Sequence, residues 1–322
     1  MRSPNVIIHT NDPDDAAQIV RDAHPDLSVF TCDSFAALPG LIEETEAEVV
    51  YSIRFDPVTR FPREAVVESD TVKWLSVGGS GTDHIGTWDA SKVTVTNSAG
   101  SAANMMAEYA IGTMLSFSLN LRGFHAAQQR RDWLPQGRVK PIEGATVLIV
   151  GLGQTGQATA RRAKAMGLTV LGVRARPQDT PNVDEVHGIE ALPKLFPRAD
   201  YILVCVPLLP STKGLIDTAG FQSMKPGAIL IDVSRGGVCD EGALIHALRN
   251  GPLAGAALDV FATEPLPASS PFWDMENVIL TPHCSSVYDG WYRRTAQMFA
   301  DNLTRYRTGA PLQNIVDPAR GY

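Results

Sequence analysis

The feature that most constrains the fold is a regular series of short strand-like segments separated by helical or polar stretches. Within the first hundred residues these apolar, β-branched runs are NVIIHT, LSVF, EVVYSI, VKWLSVG and VTVTN. A second series follows as ATVLIVG, LTVLGV, YILVCV, AILIDVS, AGAALDV and NVILTPH. Strands that alternate with helices form parallel sheets with right-handed crossovers. The two series therefore predict two α/β domains.

The stretches between and after these series predict how the chain passes between the domains. With 322 residues, the chain exceeds the roughly 250 to 300 residues of a single core. The proline-free stretch SAANMMAEYAIGTMLSFSLNLRGFHAAQQRRDW predicts one long helix that carries the chain across. Later, YDGWYRRTAQMFADNLTRYRTG predicts a helix that returns to the first domain. We therefore expect a first domain over residues 1–99 and 286–322, and a second over residues 100–285.

The composition excludes several kinds of partner. The net charge of −7 and the isoelectric point near 5.5 give no general attraction to nucleic acid or to an anionic membrane. No apolar run approaches the roughly 20 residues of a membrane helix. The four cysteines are widely spaced, and no secretory signal precedes them. We expect a cytoplasmic protein with reduced thiols and no metal site, in which local arginines hold any anionic ligand.

A glycine-rich turn in the second series predicts a dinucleotide site. In ATVLIVGLGQTGQATARRAKAMG, Gly151, Gly153 and Gly156 follow a strand and precede a helix. The first glycine permits a tight turn, the second lets the backbone approach a pyrophosphate, and the third lets helix and strand pack closely. The amides at the helix N-terminus then face the phosphates.

The residues after the next strand bear on which dinucleotide is bound. About 20 residues after such a turn an Asp or Glu usually accepts from the ribose hydroxyls of NAD. Here Arg174 occupies that place, and Arg176 follows two residues later. Because arginine attracts a ribose phosphate, the pair predicts a preference for NADPH over NADH, with NAD still possible. The alternative is that both are solvated loop residues beside Pro177.

Three further strands end in residues that carry chemistry. AILIDVSRGG brings Arg235, AGAALDVFATEPLP brings Asp259 and Glu264, and NVILTPH brings His283. Ligands of open parallel sheets bind outside the carboxyl ends of the strands. We therefore expect a carboxylate binder, acids and a proton carrier to meet at one edge.

These motifs resemble those of a known family, the D-isomer-specific 2-hydroxyacid dehydrogenases. The resemblance covers nearly the whole chain and is carried by VGGSGTDHIG, MMAEYAIGTML, VLIVGLGQTGQ, VCVPLLPSTKGLID, LIDVSRGGVCDEGAL, ALDVFATEPLP and TPH. It implies two Rossmann-like or flavodoxin-like parallel-sheet domains with a cleft between them. It also implies hydride transfer between a nicotinamide and a 2-keto acid, within the branch of glyoxylate and hydroxypyruvate reductases.

The resemblance assigns a role to each residue at the strand ends. His283 would be the acid that protonates the carbonyl oxygen, and the base in the oxidative direction. Glu264 would orient the imidazole and favour its charged form. Arg235 would clamp the substrate carboxylate and polarise the carbonyl. The alternatives are a structural cap for Arg235, a loop role for Glu264, and His84 of GTDHIG in place of His283.

Further positions follow from the same resemblance. On the substrate side it implies Ser80 and Gly81, and Arg54 within YSIRF (Tyr51 to Phe55), although a solvated arginine is an equal alternative there. On the cofactor side it implies Met106, Gly151, Gly153, Gln154, Thr155, Gly156, Arg174, Arg176, Val206, Pro207, Thr212, Val233, Ser234, Asp259 and His283. Asp259 would be a partner of the carboxamide, and strand-end packing would explain Val206 equally well. Cys284 departs from the usual aliphatic residue and is expected to pack.

These observations predict an NADPH-preferring reductase of small 2-keto acids, with glyoxylate or hydroxypyruvate as substrate. A reductase of a bulkier keto acid such as phenylpyruvate is the first alternative. A dinucleotide-sensing protein similar to the corepressors of this family is the second. The resemblance further implies a homodimer formed through the long helix, and we expect no C-terminal regulatory domain after LQNIVDP.

Overall fold

The structure is a computed structural model that describes residues 3–54, 59–134 and 139–318. The chain divides into two compact units. The first unit is Met1–Ser101 with Tyr288–Tyr322, and the second is Ala102–Val287. Each is built on one parallel sheet, which confirms the predicted α/β class.

The first unit contains a five-stranded sheet. Its described strands are β1 (Val6–Thr10), β2 (Val29–Cys32), β3 (Val49–Ile53), β4 (Trp74–Val77) and β5 (Thr94–Asn97). Its described helices are α1 (Asp14–Ala23), α2 (Leu38–Thr45), α3 (Arg63–Val67) and, after the second unit, α10 (Trp291–Thr308). The strand order is β2-β1-β3-β4-β5, and all neighbouring strands are parallel.

Alternate residues of these strands pack on opposite faces of the sheet. Ile7 and Val50 join an apolar cluster with Leu38 of α2. On the other face Tyr51 stacks on Phe299 of α10, with 4.8 Å between ring centroids. Helix α10 therefore completes the first unit although it follows the second in the chain.

The second unit contains a seven-stranded sheet. Its described strands are β6 (Thr146–Val150), β7 (Thr169–Val173), β8 (Glu185–His187), β9 (Tyr201–Val204), β10 (Ala228–Asp232), β11 (Leu253–Leu258) and β12 (Val278–Leu280). Its described helices are α4 (Ala103–Ser118), α5 (Leu121–Gln129), α6 (Gln154–Ala165), α7 (Leu192–Leu195), α8 (Thr218–Gln222) and α9 (Glu241–Asn250). The order β12-β11-β10-β9-β6-β7-β8 reverses direction between β6 and β9. Such a reversal is where open parallel sheets bind ligands.

Two local features differ from the prediction. The single long helix is wrong, because the segment forms α4 and α5, separated at Asn120. Asn120 has a φ of 50°, in the left-handed region that asparagine adopts more readily than most residues. Strand β8, a short strand at the sheet edge, was not predicted.

A membrane-spanning helix is not found among the described residues, since none of their helices combines the required length with sufficient hydropathy.

Candidate active site

Three neighbouring strands of the second sheet end side by side. Asp232 is the last residue of β10 and lies in register with Leu258 of β11, which in turn lies in register with Leu280 of β12. Arg235 follows β10 by three residues, Asp259 directly follows β11, and His283 follows β12 by three. The strand ends thus place these side chains at one edge of the second unit.

His283 and Glu264 form a direct hydrogen-bonded pair at this edge. Glu264 Oε2 lies 2.7 Å from His283 Nδ1, and Glu264 Oε1 accepts from the Phe261 N–H at 2.9 Å. Burial opposes ionisation of Glu264, but the hydrogen bonds with His283 and Phe261 and the charge of Arg235 together lower its pKa. The carboxylate is therefore ionised at neutral pH and stabilises a protonated imidazole. With Nδ1 held, Nε2 is the nitrogen that can exchange a proton with a substrate.

The loop that carries Arg235 packs directly on the loop that carries Glu264. A Cβ atom at Gly236 would lie 1.9 Å from the carbonyl oxygen of Phe261, so only glycine fits there. Arg235 itself is partly buried, and its Nη1 donates to the Ser234 carbonyl at 2.9 Å. Its charge also acts on Glu264. The structure thus brings the predicted arginine, glutamate and histidine together.

Asp259 anchors the loop that presents His283. Its Oδ1 accepts from Thr281 Oγ1 at 2.6 Å and from the Cys284 N–H at 2.9 Å, and its Oδ2 accepts from the Ser285 N–H at 3.0 Å. The side chain is buried. His283 has a φ of 51°, so its backbone is held in the left-handed region. The role of Asp259 toward the carboxamide stays a prediction, and this anchoring role was not predicted from the sequence.

Two neighbours of Asp259 extend its environment. Tyr109 of α4 forms a 2.9 Å hydrogen bond with Thr281, and burial raises the Tyr109 pKa to about 12. Tyr109 lies inside the motif MMAEYAIGTML, but it was not predicted as a site residue. Burial, followed by the charge of Asp259, raises the pKa of Cys284, so that thiol stays protonated.

The glycine turn has the shape required for a pyrophosphate. Gly151 has a φ of 111°, and a Cβ at Gly156 would lie 1.9 Å from the Gly151 carbonyl oxygen. A Cβ at Gly153 would instead meet open space among the described residues. Helix α6 begins at Gln154 without a side-chain cap in this part of the structure, so its first N–H groups are available to a phosphate. The turn therefore fits the dinucleotide that its sequence predicts.

Arg174 directly follows β7 in the second unit. Its backbone N–H donates to the His187 carbonyl of β8 at 3.0 Å. Its guanidinium, on a partly buried residue, makes a long 3.5 Å hydrogen bond from Nη1 to Thr180 Oγ1. Arg176 is exposed. One long contact leaves most of the donors of Arg174 for a ligand.

The remaining predicted cofactor residues fall into two groups. Near the turn, Gln154 is exposed, and Thr155 Oγ1 lies 3.5 Å from Met106 Sδ. Elsewhere the side chains serve their own loops. Thr212 Oγ1 accepts from Leu209 N and donates to Pro207 O, Ser234 Oγ donates to Asp232, Val233 is buried, and Val206 packs against the core.

The predicted substrate residues of the first unit lie at the carboxyl ends of its own strands. Arg54 follows β3, with its guanidinium carbon 5.5 Å from the centroid of the Phe35 ring. Ser80 is exposed, and its carbonyl accepts from Asn97 Nδ2 at 2.8 Å, while Gly81 is partly buried beside it. Phe55 lies outside the described residues. Whether Arg54, Ser80 and Gly81 bind substrate stays a prediction.

His84 is the predicted alternative to His283 as the acid. His84 lies in the first unit with its ring edge-on to Phe61, at 5.4 Å between centroids. His125 and His246 are exposed on α5 and α9. His283, by contrast, has its short contact with the Glu264 carboxylate. The described residues contain no cluster of His, Cys, Asp and Glu able to hold a metal ion.

Comparison with known proteins gives one family. The model of the NAD binding domain of D-isomer specific 2-hydroxyacid dehydrogenases matches residues 111–285. The glyoxylate reductase of Korarchaeum cryptofilum is 30% identical over 98% of this chain and 96% of its own. The D-3-phosphoglycerate dehydrogenase of Methanocaldococcus jannaschii is 32% identical over 80% of this chain. The match covers only half the length of that relative.

Solved structures agree with this result over the whole chain. A D-isomer specific 2-hydroxyacid dehydrogenase from Xanthobacter autotrophicus Py2, in complex with NADPH and MES, is 31% identical with a TM-score of 0.86 and full coverage of both chains. An NADPH-dependent glyoxylate/hydroxypyruvate reductase from Sinorhizobium meliloti, in complex with NADP and sulfate, is 26% identical with a TM-score of 0.83, again with full coverage of both.

Proposed function

The chain belongs to the D-isomer specific 2-hydroxyacid dehydrogenases, and we propose that within this family it is an NADPH-preferring reductase of small 2-keto acids. Glyoxylate and hydroxypyruvate, reduced to glycolate and D-glycerate, are the leading substrates. The observation that carries the proposal is the 2.7 Å pair of His283 and Glu264 beside the Arg235 loop.

The proposed mechanism assigns one task to each of these residues. The nicotinamide dinucleotide, when bound, supplies the hydride for the C2 carbon of the keto acid. His283 gives the proton on Nε2 to the carbonyl oxygen, and it takes that proton back in the oxidative direction. Glu264 fixes the ring through Nδ1 and balances the imidazolium charge. Arg235 binds the substrate carboxylate and polarises the carbonyl.

The proposed preference for NADPH rests on Arg174. A charge-assisted hydrogen bond contributes on the order of 1.5 to 3 kcal/mol, so one good contact shifts the preference by roughly tenfold to a hundredfold. The two similar structures described above hold NADPH or NADP, and one is named NADPH-dependent. NADPH favours the reductive direction, which supports a reductase.

The proposed substrates rest on the names of similar proteins. A relative that matches nearly the whole chain is a glyoxylate reductase, and one similar structure is a glyoxylate/hydroxypyruvate reductase. Reduction of a bulkier 2-keto acid is the alternative within the same chemistry, and the rate experiment below separates the two.

We also propose that the enzyme is a cytoplasmic homodimer. Large apolar side chains are exposed around the end of α4 and after α5: Leu119, Leu121, Trp133, Leu134 and Val139. Contiguous patches of exposed apolar side chains mark interaction surfaces, and these five residues lie close together in the sequence. All four cysteines are free thiols, which suits a reducing compartment. Light scattering coupled to gel filtration should give twice the chain mass, and a monomer would contradict the dimer.

The direct test is the initial rate with glyoxylate and with hydroxypyruvate at matched concentrations of NADPH and NADH. We expect reduction of at least one substrate, at least tenfold faster with NADPH at subsaturating cofactor. Faster reaction with NADH would still support a dehydrogenase, but it would contradict the proposed role of Arg174 in cofactor preference. Reaction with phenylpyruvate alone would replace the substrate, and NADPH binding without turnover of any keto acid would favour a dinucleotide-sensing protein.

A further inference from the structure

Two buried carboxylates lie next to each other behind the candidate active site. Asp232 ends β10 and Asp259 follows β11, and the Asp259 N–H donates to the Asp232 carbonyl at 3.0 Å. Their relative exposures are 4% and 1%. Buried carboxylates are rarely placed side by side, because each disfavours the charge of the other. The proposed mechanism uses neither carboxylate for proton transfer.

Asp232 is bonded into the loop that carries Arg235. Its Oδ1 accepts from the Ser234 N–H at 3.0 Å and from the Ser234 hydroxyl at 2.5 Å. The Cys239 thiol donates to the same carboxyl group from the other end of the loop. These three contacts close the turn between Asp232 and Cys239, with Arg235 inside it. The geometry of the Arg235 loop therefore depends on how strongly this carboxyl group accepts hydrogen bonds.

Asp259 has the corresponding position for the other loop. It accepts from Thr281 and from the backbone of Cys284 and Ser285, on either side of His283. Each of the two active-site loops thus has its own carboxylate anchor. The two anchors differ in their partners, because Asp259 receives two backbone N–H groups and Asp232 only one.

The surroundings of Asp232 disfavour its ionised form. The titratable groups that face it are acids: Asp259 after β11, Cys205 after β9, Tyr109 of α4, Cys239 before α9, and Glu241 of α9 beside Cys239. Burial raises the pKa of Asp232 to about 6, against the hydrogen bonds of Ser234 and Cys239, and the charge of Asp259 adds to the rise. The charge of Asp232 therefore changes just below neutral pH.

We propose that Asp232 is a positioning residue whose ionised carboxylate holds the Arg235 loop, and that protonation of Asp232 loosens this loop while Asp259 keeps the His283 loop in place. The consequence for catalysis rests on the proposed function of Arg235 as the clamp for the substrate carboxylate. On acidification KM for the keto acid should rise, with a smaller change in kcat. Protonation of His283 would act in the opposite direction, since reduction requires the protonated imidazole.

The first experiment needs no turnover. Amide hydrogen exchange of the full chain is measured by mass spectrometry from pH 5 to pH 8, with intrinsic rates corrected for pH. In the wild type, protection of residues 233–240 should fall roughly threefold to tenfold below pH 6, while residues 281–287 change little. In Asp232→Asn, which keeps the side-chain shape without a titrating proton, protection of residues 233–240 should not depend on pH.

Asp240→Asn is the matched control, because Asp240 lies in the same region but is exposed and caps α9 through the Ala243 N–H. This variant should keep the pH dependence of the wild type. If Asp232→Asn also keeps it, or if the wild type shows none, the proposal is overturned. The wild-type comparison of the two segments tests the proposal even if Asp232→Asn does not fold.

The second experiment measures KM and kcat for glyoxylate over the same pH range. KM of the wild type should rise roughly threefold to tenfold between pH 7 and pH 5, and KM of Asp232→Asn should not show this rise. A KM that is constant in the wild type would overturn the proposal. An absence of turnover combined with the expected exchange pattern would contradict the proposed function while supporting the positioning role of Asp232.

Discussion

The two sheets differ in how their carboxyl edges treat polar side chains. In the second unit three carboxylates each accept at least two hydrogen bonds: Glu264, Asp259 and Asp232. Asp259 and Asp232 are also buried. In the first unit His9 Nε2, Thr10 Oγ1 and Arg54 Nε are buried without a partner among the residues that the structure describes.

The two sheet edges thus differ in whether their buried polar groups already have hydrogen-bond partners. A fully bonded edge is organised before substrate arrives, and such preorganised dipoles and charges are what acid–base catalysis requires. An edge with unpaired polar atoms retains capacity for water or a ligand, at a cost in folding free energy. We infer that the chemistry of this enzyme belongs to the second unit.

The buried titratable groups of the two units also respond to acid with opposite sign. Burial, with a further contribution from the charge of Arg54, lowers the pKa of His9 to about 4. Burial raises the pKa of Asp232 to about 6. Acidification from neutral pH therefore removes stability at His9, whereas at Asp232 it relieves the cost of a buried charge and weakens only the hydrogen bonds that hold the Arg235 loop.

The strongest test of which unit carries the chemistry is a histidine-to-alanine substitution made once in each unit. His283→Ala should reduce turnover at least a hundredfold, because the acid is lost, while NADPH binding by fluorescence titration stays nearly intact. His84→Ala in the first unit should keep turnover within about threefold of the wild type. The reverse ranking would move the acid to the first unit.

The next largest effect concerns the cofactor. Arg174→Asp should weaken NADPH binding roughly tenfold to a hundredfold and leave NADH binding nearly unchanged, because only the ribose phosphate is lost as a partner. Fluorescence titration with both cofactors measures this. Thr180→Val removes the one hydrogen bond of the Arg174 guanidinium that the described residues show, and it should affect neither cofactor strongly. If Arg174→Asp weakened the binding of NADPH and NADH equally, the arginine would serve only to support its loop.

A smaller effect is expected at the partner of the histidine. Glu264→Gln keeps an acceptor for His283 but removes the charge, so kcat for reduction should fall about tenfold. A neutral partner stabilises the imidazolium less, and the alkaline decline of the reductive rate should therefore move to lower pH. Glu241→Gln, whose wild-type carboxylate accepts from the Ala262 N–H, is the control and should leave the pH profile in place. An unshifted profile in Glu264→Gln would separate Glu264 from the proton transfer.

The smallest effect concerns stability in the first unit. The folded pKa of His9 lies below the unfolded value, so its stability contribution is complete above about pH 6.5 and is lost as pH falls toward 4. Between pH 7 and pH 5.5 this loss is roughly 1 kcal/mol. Urea unfolding should show that His9→Asn loses that much less than the wild type, whereas exposed His246→Asn matches the wild type. If the free energy of unfolding of His9→Asn fell with pH as steeply as that of the wild type, the pH dependence would come from groups other than His9.

The sequence predicted the sheets well because their strands are continuous apolar runs. It missed β8 because EVH has three half-buried residues at a sheet edge, too few for a periodic pattern. It missed the break at Asn120 because neither proline nor glycine marks it and the flanking residues favour helix.

The candidate site was partly predictable for a different reason. The rule that ligands bind at strand ends selects Arg235, Asp259 and His283 from their positions after apolar runs. The contact between Asp232 and Asp259 depends on the strand register, and the closeness of Gly236 to Phe261 depends on two loops that meet only in the fold. No local pattern encodes either contact, so sequence reasoning did not find them.

The left-handed backbone of His283 has a consequence for directed evolution. A residue other than glycine in this conformation costs about 1 kcal/mol, and asparagine or glycine would tolerate it better. Backbone preference and reactivity therefore favour different side chains at position 283. A library of variants selected only for heat resistance should accumulate inactive members at this position, and a selection that also requires turnover should return histidine.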